Sequence, residues 1–224
     1  MSARDLYFSV SGQRYTLRTE LYEKLRLLLP KEFPDQTFAF LGNPFPNLSV
    51  PLLWDEDERS WDPTSRLFRR WAEMNEFCSK KLVPAIRAGH VAISDGFGIN
   101  ALLHATACST CVIQNQGAFD FHNEMVGSRL RKQKLPAPRY IITQANEESV
   151  DKGMVLVNPR TGNIPREERL AFIQYEERTI RRYFEEIDHQ QDPCWLSSES
   201  LDEMAEEAIA YIGVCLQVHE RVMA

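Results

Sequence analysis

The spacing of apolar residues along the chain alternates between short runs typical of strands and longer stretches with helical periodicity. The short runs predict five strands, at residues 7–10, 37–41, 90–94, 139–143 and 194–196. The longer stretches predict helices at residues 15–29, 63–88, 99–112, 119–130, 165–187 and from 201 onward. Because strands alternate with helices, we expect an α/β fold with a mostly parallel five-stranded sheet and helices on both faces.

Two segments interrupt this pattern, and both are rich in residues that favour loops. Residues 42–62 contain three prolines and the acidic run 55–58. Residues 145–164 are polar and contain two glycines and a proline. We predict a flexible loop at 42–62 and a lid-like segment at 145–164, both within a single domain that spans residues 1–224.

Composition and charge exclude several classes of partner. The chain has 224 residues and a formal net charge of −6, which argues against a nucleic-acid partner because such partners usually require a basic surface. No apolar run approaches the roughly 20 residues needed to span a bilayer. Residues 1–8 lack the apolar core of a signal peptide, and the five cysteines are an odd number. We therefore expect free thiols, a cytoplasmic location and no membrane association.

The first predicted strand and helix are joined by a predicted tight turn at residues 11–14. A strand, a tight turn and a helix at the start of an α/β chain form the arrangement in which P-loop proteins hold phosphate. There, backbone N–H groups and the positive end of the helix dipole face the anion. The motif G-x-x-x-x-G-K-[ST], which makes such a loop work, is absent from residues 8–16. The turn therefore agrees with a phosphate site in position but not in residue type.

Three longer segments resemble the thymidylate kinase family of P-loop nucleoside-monophosphate kinases. Residues 81–95, KLVPAIRAGHVAISD, resemble the family's helix with the pattern IKPAL-x-x-G and the strand that leads into its Asp-Arg-Tyr motif. Residues 172–187 resemble the helix after the family's lid, and residues 195–209 resemble the closing strand and helix. The resemblance covers nearly the whole chain. It implies a three-layer P-loop-kinase-like fold, a nucleotide ligand and a homodimer, formed here through the helix at 63–88.

The first loop keeps few of the family's residue types. Gly12 and Thr16 match the family, whereas Arg14 stands at a glycine position and Tyr15 at the lysine position. Bulky side chains at these positions block the close approach of backbone to phosphate. Tyrosine also lacks the positive charge that the transferring phosphoryl group needs. Arg14 is one residue away and is the candidate to replace that charge.

The second motif is also altered. The Asp-Arg-Tyr motif reads Asp95-Gly96-Phe97, so the carboxylate is kept and the arginine is lost. The family's helix arginine that binds the monophosphate falls near Met74, and Arg70 lies one turn earlier. Asp95 fits two roles, a ligand or base at the site and an N-cap of the next helix.

Together the resemblance implies one set of candidate site residues. They are Asp95 and Arg14 for catalysis, Gly12, Gln13, Arg14, Thr16, Arg160 and Arg166 for nucleotide and phosphate binding, and Arg70 and Phe97 for the substrate pocket. Arginines in or just after a lid neutralise charge in phosphoryl transfer. The simpler interpretation of Arg160 and Arg166 is a solvated charge run.

Two functions follow from this pattern. The first is a non-catalytic relative of thymidylate kinase that binds a nucleotide or another protein and needs no cofactor. The alternative is an active dTMP-type kinase with a rearranged site that uses ATP and Mg²⁺, in which Arg14 and Thr16 hold the donor phosphates and the metal and Asp95 orients the metal or the acceptor. A third, remoter hypothesis is a phosphate-binding regulator with a moving lid and no chemistry.

The predicted helix at 99–112 carries three residues of the types that bind metal ions. Its residues His104, Cys108 and Cys111 share one helix face, and His122 is a candidate fourth ligand. Zinc sites usually use two cysteine pairs or a clear histidine pair. We therefore interpret these residues as buried core cysteines and a core histidine, and we predict no metal site.

Overall fold

The computed structural model describes residues 6–13, 16–45, 62–106, 116–122, 124–125, 135–145, 148, 166–186, 192–197 and 200–223. Five strands form one sheet, namely β1 (Tyr7–Gly12), β2 (Phe38–Gly42), β3 (Val91–Asp95), β4 (Arg139–Thr143) and β5 (Cys194–Leu196). All strand pairings are parallel, and the strand order is β2-β3-β1-β4-β5. β1 therefore lies at the centre, between β3 and β4.

Helices connect the strands, as expected for parallel pairing. They are α1 (Arg18–Glu32), α2 (Pro63–Phe77), α3 (Val83–Arg87), α4 (Gly98–Thr106), α5 (Arg166–Glu186) and α6 (Leu201–Met223). A π-helical turn, Cys78–Leu82, joins α2 to α3. Residues 116–122 are also helical.

Side chains of the sheet alternate between two cores, each covered by different helices. Along β1, Tyr7 lies in the core shared with α2, α4 and α5, whereas Phe8 and Val10 lie in the core shared with α1 and α6. Along β3, Ala92 and Ile93 alternate in the same way. The sheet is therefore buried between two helical layers, and the expected three-layer, P-loop-kinase-like α/β fold is confirmed.

β1 is longer than predicted, and the predicted turn at 11–14 is wrong for its first two residues. Ser11 and Gly12 lie in the strand and pair with Ile142 and Thr143 of β4. The Ser11 hydroxyl is satisfied inside the sheet, 2.8 Å from Ser9 Oγ. Because pairing with β4 continues this far, α1 begins only at Arg18, later than the predicted start at about 15.

The single long helix predicted at 63–88 is divided into α2, a π-helical turn and α3. Asp62 caps α2, since its Oδ1 accepts hydrogen bonds from Thr64 N at 2.9 Å and Ser65 N at 3.1 Å. Pro84 has no N–H to donate, and it lies in the separate short helix α3, which follows the π-helical turn. Ser200 caps the start of α6, because Glu203 N donates a hydrogen bond to Ser200 Oγ at 3.3 Å.

Several predicted features extend beyond the described residues. Residues 46–61 of the predicted loop, nearly all of the predicted lid, and residues 107–112 and 126–130 of two predicted helices lie outside them. Cys78, Cys194 and Cys215 are free thiols. No helix in the described part of the chain combines the length and apolar character needed to cross a membrane.

Candidate functional site

The helices that follow neighbouring strands leave the sheet on opposite faces. α1, which follows β1, places Leu21 in one core, whereas α4 and α5, which follow β3 and β4, place Ile99 and Ile180 in the other. Open parallel sheets bind ligands at the carboxyl ends of strands where the chain changes face in this way. The carboxyl ends of β1, β3 and β4 therefore form the candidate functional site.

Gly12 ends β1 in a conformation that requires glycine. Its φ is +151°, and a Cβ at this position would overlap the hydroxyl and backbone of Thr143. Gly12 was predicted to let backbone approach a phosphate. In the structure its missing side chain lets β1 and β4 approach each other.

Gln13 uses its backbone N–H and both ends of its side chain within the protein. Its N–H donates to the Thr143 carbonyl at 3.0 Å. Its Oε1 accepts from Ala145 N at 2.7 Å, and its Nε2 donates to the Ile173 carbonyl in α5 at 2.6 Å. Gln13 is 5% exposed. The predicted phosphate ligand therefore joins the ends of β1 and β4 to α5 instead.

The hydroxyl of Thr16, the candidate magnesium ligand, is also hydrogen-bonded within the protein. Its Oγ1 donates to the Gln13 carbonyl at 2.8 Å and lies 2.8 Å from Thr143 Oγ1. Thr143 Oγ1 in turn lies 3.3 Å from the Ser11 carbonyl oxygen. These contacts bind the segment after β1 to the end of β4.

Asp95 ends β3 and is buried against the first turn of α1. Arg18 Nε lies 2.9 Å from its Oδ1 in an ion pair that is not aligned as a hydrogen bond. Thr19 Oγ1 donates to its Oδ2 at 3.4 Å. Burial raises the pKa of Asp95, and Arg18 and Thr19 oppose this rise. Its partners among the described residues belong to α1, so the structure gives no support to the predicted alternative of an N-cap for α4.

The two predicted pocket residues, Phe97 and Arg70, lie in different surroundings. Phe97 is a core residue whose ring packs against Tyr7 at 5.2 Å and Phe77 at 6.3 Å between centroids. Arg70 is buried in α2, and its Nη1 lies 3.1 Å from Glu73 Oε2.

The remaining predicted site residues are exposed or undescribed. Arg166 is the first residue of α5 and is exposed. Arg14, Tyr15 and Arg160 lie outside the described residues, so their predicted roles stay predictions.

Of the residues that would hold Mg²⁺ and ATP, Thr16 and Asp95 are described, and both are engaged within the protein. The hydroxyl of Thr16 is bound by Gln13 and Thr143, and the carboxylate of Asp95 faces the guanidinium of Arg18. Mg²⁺ is bound by oxygen ligands such as carboxylates, so a metal at this place would compete with Arg18 for Asp95.

Most of the candidate metal-binding segment on the predicted helix at 99–112 lies outside the described residues. Cys108, Cys111 and the side chain of His104 lie outside the description. Within the described residues, no three His, Cys, Asp or Glu side chains come together as a metal site.

One buried polar residue, Arg66, was missed by the sequence reasoning, and another, His122, was identified there only as a candidate fourth metal ligand. Arg66 lies in the buried stripe of α2, and an arginine among apolar positions at helical spacing was the available signal. His122 is 1% exposed, and neither ring nitrogen has a hydrogen-bond partner. Its ring packs against Tyr183 at 5.6 Å between centroids. Burial lowers the pKa of His122 to about 3.

Comparison with known proteins adds no relative. The chain matches no family model, and no curated protein is significantly similar to it. The resemblance to thymidylate kinases therefore rests on the order of the predicted elements and on the three sequence segments, and it stays a prediction.

We predict that Gly12→Ala destabilises the protein much more than Gly42→Ala. Gly12 combines a positive φ with overlap against Thr143, which together cost about 2–5 kcal/mol. Gly42 has a φ of +74° but no atom within 4 Å of an added Cβ, so only the backbone cost of about 1–2 kcal/mol applies. Urea denaturation of both variants measures the difference. Equal losses would show that β1 and β4 are not closely packed at Gly12.

We also predict that His122 makes the fold sensitive to mild acid. The unfolded chain binds a proton at this residue below pH 6.5, and the folded chain does not do so until about pH 3. Unfolding free energy therefore falls as pH drops from 7 to 5, by about 2 kcal/mol from this residue alone. His122→Leu removes the titrating group and two unpaired buried nitrogens.

Denaturation of wild type and His122→Leu at several pH values tests this prediction. The variant should be as stable as wild type or more stable at pH 7, and it should lose less stability toward pH 5. The raised pKa of Asp95 acts in the opposite direction at lower pH and is common to both proteins. Parallel pH profiles would refute the prediction.

Proposed function

We propose that this protein is a non-catalytic relative of thymidylate kinase that acts by binding a nucleotide or another protein. The observation that carries the proposal is the hydrogen bond from Gln13 N to the Thr143 carbonyl at 3.0 Å. A phosphate loop binds its anion through free backbone N–H groups after the first strand. Here the N–H of Gln13 continues the pairing of β1 with β4 and is not available to phosphate.

The side chains at the same edge support the proposal. Gln13 has both ends of its side-chain amide bonded within the protein, and Thr16 is bonded to its neighbours. Asp95 faces Arg18, a cation supplied by the chain itself. A transferring phosphoryl group needs positive charge and a metal at this place. The described residues instead satisfy one another.

Self-association through α2 is the form of protein binding that we propose. Phe68 projects from α2 and is 55% exposed. Its ring lies 5.9 Å, between centroids, from both Trp71 and Phe121. Aromatic residues are enriched in protein interfaces, and an exposed apolar patch marks a contact surface. A second copy of the chain, bound through this patch, gives the homodimer that the resemblance implies.

The kinase assay tests the absence of catalysis. Purified protein is mixed with ATP, Mg²⁺ and each nucleoside monophosphate in turn, and ADP formation is followed. We expect ADP to form no faster than in the absence of protein, because the N–H of Gln13 is hydrogen-bonded to Thr143 and is not available to a phosphate. Turnover that is lost in Asp95→Asn but kept in Asp35→Asn, which removes an exposed carboxyl group, would establish the active kinase with a rearranged site instead.

Light scattering after size-exclusion chromatography tests the homodimer. Wild type should have the mass of two chains, and Phe68→Glu should have the mass of one, because a buried unpaired carboxylate opposes association. Leu27→Glu is the matched control, since Leu27 is 67% exposed on α1, on the other face of the sheet. A monomeric wild type, or equal effects of both substitutions, would exclude dimerisation through α2.

A further inference from the structure

The helix α2 buries two arginines and exposes a phenylalanine, the reverse of the usual preference. Its buried stripe consists of Pro63, Arg66, Leu67, Arg70, Met74 and Phe77. Arg66 is 2% exposed, and its Nε and Nη1 atoms are enclosed without a hydrogen-bond acceptor. Phe68 on the same helix is 55% exposed. A guanidinium group keeps its charge at physiological pH, so its burial is costly. The buried face of α2 therefore disagrees with the pattern of its side chains.

A shift of α2 by one residue moves both arginines to the surface. Successive residues of an α-helix are about 100° apart around its axis, so a one-residue shift can place each side chain where the preceding one lay. Arg66 then occupies the exposed place of Ser65, and Arg70 occupies the exposed place of Arg69. The ion pair of Arg70 with Glu73 is formed within the helix and moves with it.

The same shift moves apolar side chains into the core. Leu67 takes the buried place of Arg66, and Phe68 takes the buried place of Leu67. Trp71, which is partly buried, takes the place of Arg70, which is 2% exposed. Burial of apolar surface favours this register of the helix.

The π-helical turn Cys78–Leu82 holds the residue that this shift requires. Val83 N donates to the Cys78 carbonyl five residues earlier, whereas an α-helix joins residues four apart. The turn therefore contains one residue more than an α-helical turn. α3 is anchored by the buried Ala85 and Ile86. If the turn becomes α-helical while α3 stays in place, each residue of α2 moves to the place of the preceding residue.

Other groups oppose the shift. In a regular α-helix, the ring of Pro84 clashes with the carbonyl four residues earlier. Phe77, now buried, takes the exposed place of Glu76, and Asn75 takes the buried place of Met74. These costs act against the gain from exposing two arginines and burying two aromatic rings. Opposing costs of this kind are the condition for an element with two arrangements.

We propose that α2 has two registers, the present one with the π-helical turn and a second one in which Cys78–Leu82 is α-helical and α2 is shifted by one residue. The second register buries Phe68 and Trp71 and exposes Arg66 and Arg70. The outer face of α2 thereby changes from aromatic to basic. Register shifts of helices occur in microseconds to milliseconds. The proposal does not rest on the proposed function.

Fluorine NMR of the full chain labelled with 5-fluorotryptophan tests the two registers through Trp71. Its signal is assigned with Trp71→Phe, and spectra are recorded at a dilution at which light scattering finds a single chain. This dilution separates the result from the proposed homodimer. Wild type should show two Trp71 resonances, or one that is broadened by exchange, because the two registers differ in the burial of its ring.

Three variants shift the two populations in different directions. Pro84→Ala removes the clash and should raise the population of the second register at least tenfold relative to the first. Arg66→Met should lower it at least threefold, because an apolar side chain then fills the present buried place. Phe68→Glu should abolish it, since the second register would bury a carboxylate. Arg69→Glu is the matched control, because residue 69 takes the exposed place of Phe68 and stays exposed.

Two results would overturn the proposal. One is a single sharp Trp71 resonance in both wild type and Pro84→Ala. The other is a second resonance that is as strong in Phe68→Glu as in Arg69→Glu. Should Pro84→Ala fail to fold, an equal second resonance in wild type and Arg66→Met, or a single sharp resonance in both, refutes the proposal.

Discussion

The site depends on the way one residue, Gln13, joins three elements. Its N–H extends the parallel pairing of β1 with β4, and its side chain bonds Ala145 after β4 and Ile173 in α5. The bond to Ile173 is buried and the bond to Ala145 is partly buried, and an unmade hydrogen bond is costly in such places. Opening this edge to a phosphate group would break them together. The closed carboxyl end of β1 is therefore part of the fold and not a loosely held loop.

Charge is distributed unevenly between this edge and α2. At the carboxyl ends of the strands, Asp95 is buried and faces Arg18, so the chain neutralises its own carboxylate. In α2 the buried Arg70 is paired with Glu73, whereas Nε and Nη1 of the buried Arg66 have no hydrogen-bond partner. A kinase needs its strongest positive field where the phosphoryl group is transferred. At the carboxyl ends of the strands, the described residues instead hold the paired charges of Asp95 and Arg18.

Local pattern was enough to predict most of the fold. Strand and helix periods predicted five strands and a mostly parallel sheet, and Asp95 was correctly placed at the end of a strand. The end of β1 was predicted too early, because Ser11 and Gly12 are residue types that favour turns. In the structure, pairing with β4 keeps both residues in the strand. The partner that fixes Gln13, Ile173, is 160 residues away in sequence, and no local pattern reports such a contact. Phe97 was assigned to a pocket by motif position, whereas its ring packs between Tyr7 and Phe77.

Hydrogen exchange at the Gln13 amide tests the central claim most directly. The account predicts that this N–H exchanges slowly, like the amides within β1, and that ATP with Mg²⁺ changes neither its rate nor its chemical shift. Rapid exchange in the free protein, together with protection and a shift of the resonance when ATP and Mg²⁺ are added, would contradict it. That result would mean that the amide is free to bind phosphate and that the edge of the sheet is open.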